Sequence, residues 1–269
     1  MPAAGLSWLA AYALAGAAVG FLAGLLGIGG GMTLVPVLAA LFAAQQLLPE
    51  HTVHLALGTA MASVVFTSTA SVREHHRLGS VDWHVVRRMA PGMVAGTLVS
   101  TVASGWIPQR VLALAFAAIV YAGATQILLG RKPKPGRSLP GPLELTAIGA
   151  AIGVVCGLVS AGGAFLTVPF MLLCGVGMLG AIGTAAALGI PVAVLGTIGY
   201  VVSGWSVPGL PPYSIGFVYL PALAALVLGS VVTAPFGARA AHRLPVTTLK
   251  RVFALLLYAL ATRMAVAYW

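Results

Sequence analysis

Long apolar runs separated by short polar connections make up nearly all of this chain. Of its 269 residues, 60% are hydrophobic and 7% are charged, whereas a soluble domain carries about 25% charged residues. With so few charges, most of the lateral surface cannot face water, and a bilayer is the solvent that fits. The composition excludes a water-soluble globular protein. It predicts an all-α polytopic membrane protein, because lipid requires a paired backbone and a β-barrel would show short alternating segments.

Two of the ten apolar segments are too short to cross a membrane. Crossing the hydrocarbon core takes about 20 helical residues, and segments 32–47 and 165–176 fall short of that length. Each follows a glycine cluster, so each is predicted to be a half-helix or the returning arm of a hairpin. The full set is 8–27, 32–47, 53–72, 83–104, 110–130, 143–160, 165–176, 178–204, 213–238 and 246–268.

The net charge of +10 is concentrated in three connections, which predicts that these connections are cytoplasmic. Basic residues confined to short stretches between apolar runs indicate topology, and they disfavour nucleic-acid binding. Following the alternation of sides puts both termini in the periplasm. Arg110 and Arg263 do not fit this bias and are expected to snorkel near the outer surface. The three clusters are Arg73, Arg77, Arg87 and Arg88; Arg131, Lys132, Lys134 and Arg137; and Arg239, Arg243, Lys250 and Arg251.

The two halves of the chain are copies of one unit. The stretch GLLGIGGGMTLVPVL from Gly24 recurs without a gap as GLVSAGGAFLTVPFM from Gly157. Later matches pair Gly58-Thr59-Ala60 with Gly183-Thr184-Ala185, and Pro108, Phe116, Tyr121 and Ala124-Thr125 with Pro245, Phe253, Tyr258 and Ala261-Thr262.

Five membrane segments in each copy, an odd number, predict that the copies are inverted about a pseudo-twofold axis in the membrane plane. Residues 1–130 would form the first repeat, 131–142 a basic cytoplasmic linker and 143–269 the second repeat. Inverted repeats are typical of secondary transporters, which bind substrate where broken helices meet. The alternative is a gene duplication in a membrane protein that transports nothing.

The glycine runs inside the first helix of each copy are the candidate binding site. Glycine costs roughly 1 kcal/mol in a helix interior, so both runs predict an interruption. A new helix N-terminus leaves about four unpaired N–H groups and a partial positive charge, which suits an anion. Alternatively, these small residues only allow close helix crossing. The candidate residues are Gly27, Gly29, Gly30, Gly31 and Thr33, and Ser160, Gly162, Gly163 and Thr167.

A polar stripe and one late arginine are candidates for lining a pathway. Thr59, Ser63, Thr67 and Ser71 recur at a spacing of four residues, on one helical face that could line a path or hydrogen-bond a neighbouring helix. Arg263 matches Gln126 in the repeat. It is a candidate gate for anions, with snorkelling as the alternative.

Several classes of chemistry are disfavoured. Glu50, Glu74, Asp82 and Glu144 lie in or beside connections, which argues against the mid-membrane carboxylate of many cation-coupled carriers. Cys156 and Cys174 lie in apolar segments with no CxxC motif, so neither a disulfide framework nor a metal site is predicted. No GxxxxGK[ST] motif is present. We therefore expect no enzyme activity and no cofactor.

The doubled motif G-x-x-G-x-G-G-G, followed by a short apolar helix with a Thr and a Pro, resembles the TauE/SafE family of sulfite exporters. The turn LGSVDW, residues 78–83, is similar as well. The resemblance implies a bacterial inner-membrane carrier for sulfite, sulfonates or related sulfur oxyanions, acting in export. Together with the repeat, we expect a carrier that works by alternating access, with a small sulfur anion and lipid as partners. A homodimer is a possible assembly. A membrane scaffold and a passive anion channel are the alternatives.

Overall fold

The computed structural model describes residues 3–26, 30–129, 139–241 and 246–269, and about 82% of the chain is helical. The prediction of an all-α membrane protein is confirmed at this level. In chain order the helices are α1 (Ala3–Leu26), α2 (Gly31–Ala44), α3 (Thr52–Arg77), α4 (Trp83–Ala103), α5 (Gln109–Leu129), α6 (Pro142–Val159), α7 (Ala164–Leu173), α8 (Met178–Gly204), α9 (Leu220–Ala241) and α10 (Val246–Tyr268).

Helix length separates spanning helices from half-helices. Among the described residues, α3, α5, α6 and α8 are long and apolar enough to cross a membrane. The 21-residue α5 is about 31 Å long, close to the ~30 Å thickness of the hydrocarbon core. The 14 residues of α2 and the 10 of α7 reach only about 21 and 15 Å, so neither crosses the core alone.

The segment 213–238, expected to be a single helix, is not helical at its start. Strand β1 (Ser214–Ile215) pairs antiparallel with β2 (Val218–Tyr219), and the turn between them contains Gly216 at φ +54°, a conformation that favours glycine. Neighbouring helices bind the hairpin amides: Phe217 donates to the Tyr200 carbonyl at 3.2 Å. Non-helical backbone is tolerated here because protein satisfies it in place of lipid.

Two tightly packed helix pairs have glycines in their contacts at positions that the sequence alignment matches. α1 packs on α9, and α6 packs on α4. A β-carbon at Gly16 of α1 would lie 2.3 Å from the Leu226 carbonyl oxygen, and one at Gly149 of α6 would lie 2.6 Å from the Met89 carbonyl oxygen. The gap-free alignment that pairs Gly24 with Gly157 also pairs Gly16 with Gly149. The same relation recurs one turn later for Gly20 with Ser230 and Gly153 with Met93.

Helices α3 and α8 pack against each other at the centre. Gly189 of α8 lies beside Ser68 of α3, and Gly196 lies beside Met61. Later residues of α8 therefore contact earlier residues of α3, so the two helices are antiparallel. Small residues let their backbones approach closely, as is common in membrane helices.

Candidate functional site

The second glycine run separates α6 from α7. Helix α6 ends at Val159, and Ser160 follows in the left-handed region at φ +50°. Its hydroxyl donates to the Leu57 carbonyl of α3 at 2.8 Å. Gly163, at φ +87°, caps the N-terminus of α7 without any side-chain hydrogen bond. The first amides of α7 therefore lack the side-chain cap that soluble helices commonly carry.

The first glycine run precedes α2 in the same way. Gly30 caps α2 without a side-chain hydrogen bond, and its carbonyl accepts the Leu34 amide at 3.0 Å. Gly27 and Gly29, which were predicted to belong to the site, lie outside the described residues. The described part of this run thus offers Gly30, Gly31 and the first turn of α2.

The two runs meet in space. A β-carbon at Gly31 would lie 2.0 Å from the Ser160 carbonyl oxygen, so these two residues are in direct backbone contact. Val64 of α3 packs on both runs: its methyl groups lie 3.2 Å from the β-position of Gly31 and 2.9 Å from that of Gly162. The structure therefore brings the predicted residues of both copies together across one turn of α3.

The three hydroxyls predicted for the site differ in their bonding. Ser160 is bonded to Leu57, as described. Thr33, 2% exposed, donates to the Gly30 carbonyl at 2.7 Å. Thr167, one turn inside α7, is fully buried, and its hydroxyl has no hydrogen-bond partner among the described residues. An unpaired buried hydroxyl costs roughly 1–3 kcal/mol, so Thr167 is the site hydroxyl left available to a ligand.

A narrow crevice adjoins the first run. Its free volume is about 10 Å³, which is room for about one water molecule. Gly30, Gly31, Ser63 and Thr67 line part of it. The Ser63 hydroxyl donates to the Ala60 carbonyl at 2.7 Å. Its oxygen can therefore still accept a hydrogen bond but has no proton left to donate. The crevice is far too small for a sulfur oxyanion.

The other predicted pathway residues lie elsewhere. Thr59 is fully buried, and its hydroxyl oxygen accepts the Tyr219 amide of the hairpin at 3.0 Å. Ser71 is half-buried farther along α3, and Arg263 is exposed on α10. Neither lines the crevice.

Two buried polar residues near the runs were not anticipated. Tyr200 of α8 is fully buried and donates to the Gly157 carbonyl at 2.8 Å, which holds the last turn of α6 before the break. Ser68 of α3, 6% exposed, lies beside Gly162 and Gly189. A tyrosine within the apolar run 178–204 was the available signal for Tyr200, whereas one more serine in α3 carries no such signal.

Apolar helices of spanning length define a multi-pass membrane protein. The family model for the sulfite exporter TauE/SafE matches residues 12–264, so the chain belongs to this family. The resemblance seen in the sequence is thereby confirmed.

Two curated relatives carry transporter names. A probable membrane transporter protein of Haemophilus influenzae is 36% identical over 252 residues, covering 93% of this chain and 96% of the relative. The probable membrane transporter protein YdhB of Bacillus subtilis is 27% identical over 239 residues, covering 86% and 90%. No solved structure matches the chain significantly. The protein is therefore a membrane transporter of the TauE/SafE family, and these names indicate a transporter rather than an enzyme.

Proposed function

We propose that this protein is a secondary transporter that exports sulfite or small organosulfonate anions across the bacterial inner membrane by alternating access. The anion binds where the N-termini of α2 and α7 meet, between two inverted repeats. The observation that carries this proposal is the Thr167 hydroxyl, buried and unpaired beside an uncapped helix N-terminus. An anionic oxygen would accept hydrogen bonds from this hydroxyl and from the first amides of α7, which have no side-chain cap.

The inverted repeat is supported by the helix contacts. The pair α1 and α9 matches the pair α6 and α4, down to the glycines that touch the partner backbone. The equivalent helices α3 and α8 run antiparallel. A pseudo-twofold axis in the membrane plane would produce both relations, since it reverses the direction of every helix that it carries onto its counterpart.

Anion selectivity follows from what surrounds the breaks. A helix N-terminus carries about half a positive charge, and in a low-dielectric setting this favours an anion without a buried lysine or arginine. The residues placed against the breaks are apolar or carry hydroxyls, including Val64, Ser68 and Thr167. Because no carboxylate lies among them, a cation would find little to neutralise it there.

Transport requires the site to open, because a crevice of about 10 Å³ does not admit a sulfite ion. We propose that one repeat rocks against the other and separates Gly31 from Ser160 toward one side at a time. Gly31 has no side chain, so breaking this contact loses packing but no side-chain hydrogen bond of Gly31. The closed structure would be the occluded step between the outward-open and inward-open forms.

We propose that the basic connections face the cytoplasm and that both termini are periplasmic. Arg73, Arg77 and Arg87 are exposed at one end of the helices, as expected for cytoplasmic loops. Large aromatic side chains are exposed in the connections predicted to face outward and at the C-terminus, where they would sit at the membrane interface. These are Trp106, Trp205, Tyr213 and Trp269.

Flux of labelled sulfite and short sulfonates in proteoliposomes tests the proposal. We expect saturable flux that is abolished by Gly163→Leu and by Gly30→Leu, since each leucine would fill a helix N-terminus. Gly177→Leu is the matched control, because no atom lies within 4 Å of its β-position. Flux unaffected by both site variants would refute the site. Absence of both flux and a ligand-dependent thermal shift would favour a scaffold, and electrogenic, weakly saturating flux would favour a channel.

The assembly in the membrane is a second part of the proposal. We expect a homodimer, in which each subunit transports independently through its own pair of breaks. Cross-linking in native membranes followed by mass determination measures the subunit number directly. A monomer would leave the transport proposal intact and remove only the dimer.

A further inference from the structure

Helices α5 and α10 cross through two reciprocal hydrogen bonds. The Tyr121 hydroxyl bonds to the Thr262 hydroxyl, and the Tyr258 hydroxyl bonds to the Thr125 hydroxyl. The repeat alignment that pairs Tyr121 with Tyr258 also pairs Thr125 with Thr262. Tyr121 therefore contacts the counterpart of Thr125, and Thr125 contacts the counterpart of Tyr121, as in an isologous interface. A twofold axis thus passes between the two tyrosine rings, whose centroids are 5.4 Å apart.

This axis sets the depth of Arg263. Tyr121 meets Thr262 while Thr125 meets Tyr258, so the helices are antiparallel and the axis crosses α10 midway between Tyr258 and Thr262. At about 1.5 Å of rise per residue, Arg263 lies roughly 4.5 Å from the axis. If the axis is that of the proposed inverted repeats, it lies at the bilayer centre, with about 15 Å of hydrocarbon on each side.

The sequence alone placed Arg263 near the outer surface, and the reciprocal contact moves it inward. It is exposed on the outer face of α10, together with Thr262, and Thr125 and Gln126 are exposed on the same face of α5. Neither helix contains an acidic residue. A lipid-facing arginine at the membrane centre costs about 2.5–3.5 kcal/mol or more, and charged residues at that depth usually face a water-filled cavity.

The same helix pair is in contact with the second break. A β-carbon at Gly123 of α5 would lie 1.9 Å from the ring of Phe165, which is in the first turn of α7. Phe165 is two residues from Thr167. The exposed polar face is therefore separated from the break by the thickness of one helix.

We propose that this face borders an aqueous vestibule and that Arg263 is an oxyanion-binding residue on the route to the helix breaks. The proposal deepens the proposed function and rests on it. A guanidinium presents two parallel N–H donors that match two oxygens of a sulfite or sulfonate group. A halide offers a single spherical acceptor, so Arg263 selects oxyanions over halides. Thr125, Thr262 and Gln126 add neutral hydrogen-bonding groups around it.

Chemical labelling tests the vestibule independently of transport. In a Cys174→Ala background, we expect Gln126→Cys to react with a membrane-impermeant anionic methanethiosulfonate, and faster than with a cationic one. Leu228→Cys is the lipid-facing control, because Leu228 is 70% exposed on the apolar face of α9, and it should not react. If Gln126→Cys is as unreactive as Leu228→Cys, lipid or a second copy covers this face and the proposal fails.

Transport variants test the role of the arginine. Arg263→Gln should lower kcat/KM for sulfite about tenfold or more, as for the loss of a charge-assisted hydrogen bond, and should weaken discrimination against chloride as a competitor. The exchange Arg263→Gln with Gln126→Arg should restore part of the loss, because it moves the cation to the equivalent place across the axis. Arg110→Gln, at the start of α5, is the control.

The outcomes separate this inference from the proposed function. Wild-type flux with unchanged Arg263→Gln kinetics and unchanged chloride competition overturns the inference alone. Absence of wild-type sulfite flux overturns the proposed function, and the labelling of Gln126→Cys then decides whether the vestibule exists.

Discussion

Gly31 of one helix break is in direct backbone contact with Ser160 of the other, since a β-carbon on Gly31 would lie 2.0 Å from the Ser160 carbonyl oxygen. Residues far apart in the sequence thus form one structural unit.

Gly31→Ala should destabilise the protein and abolish transport, because the added methyl group cannot be placed without separating the two breaks. Close overlaps of this kind typically cost about 1–3 kcal/mol. The melting temperature in detergent measures the loss of stability, and a size-exclusion profile shows whether the variant stays monodisperse. Gly177→Ala, whose β-position is open, should melt like the wild type. Equal melting of the two variants would contradict the contact.

Thr167→Val should affect stability and binding in opposite directions. Removing an unpaired buried hydroxyl while keeping its shape should leave the melting temperature of the ligand-free protein unchanged or slightly raised. The thermal shift produced by sulfite or a sulfonate should shrink or disappear. Thr197→Val is the control, because the Thr197 hydroxyl bonds within its own helix, to the Ala193 carbonyl at 2.6 Å. An undiminished ligand shift in Thr167→Val would remove this residue from the site.

Tyr200→Phe should loosen the second break without altering its composition. The variant removes the hydrogen bond to Gly157 and leaves that carbonyl without this donor, a loss of about 1 kcal/mol. We expect a lower melting temperature and faster hydrogen exchange at the end of α6, measured by mass spectrometry. Tyr213→Phe, at an exposed tyrosine, should exchange like the wild type throughout.

Tyr121→Phe and Tyr258→Phe should have the same effect within error. Each removes one of two reciprocal bonds across the same axis, so their changes in melting temperature should match. The double variant then tests coupling, because neighbours that share a contact are often non-additive. Clearly unequal single variants would indicate that the two crossings are not equivalent.

Composition and hydrophobic length were enough to predict the fold class, because so few charges leave no alternative to lipid. The glycine runs also predicted where α2 and α7 begin, within the described residues. The hairpin at Ser214 could not be predicted, since its amides are satisfied by Thr59 and Tyr200, and such long-range partners leave no local pattern. For the same reason, the sequence could not separate Thr167 from Thr33. Both threonines follow a glycine cap, and only the packing shows which hydroxyl lacks a partner.

Depth in the membrane was the least accessible property. Arg263 lies close to the end of the apolar run 246–268, a position that by itself suggests a place near an interface. The depth inferred for it rests on the crossing of Tyr121 and Tyr258, a relation between two side chains more than a hundred residues apart. Gly27, Gly29 and residues 131–138 of the basic linker lie outside the described residues. Their roles stay predictions.

The crevice beside Gly30 has room for about one water molecule. If substrate follows the proposed route past Gly30, a constriction of this size would interrupt a column of water there, and protons could not pass it by hopping from one water to the next. Under the proposed function, the resting transporter would then leave the electrochemical gradient of the membrane intact.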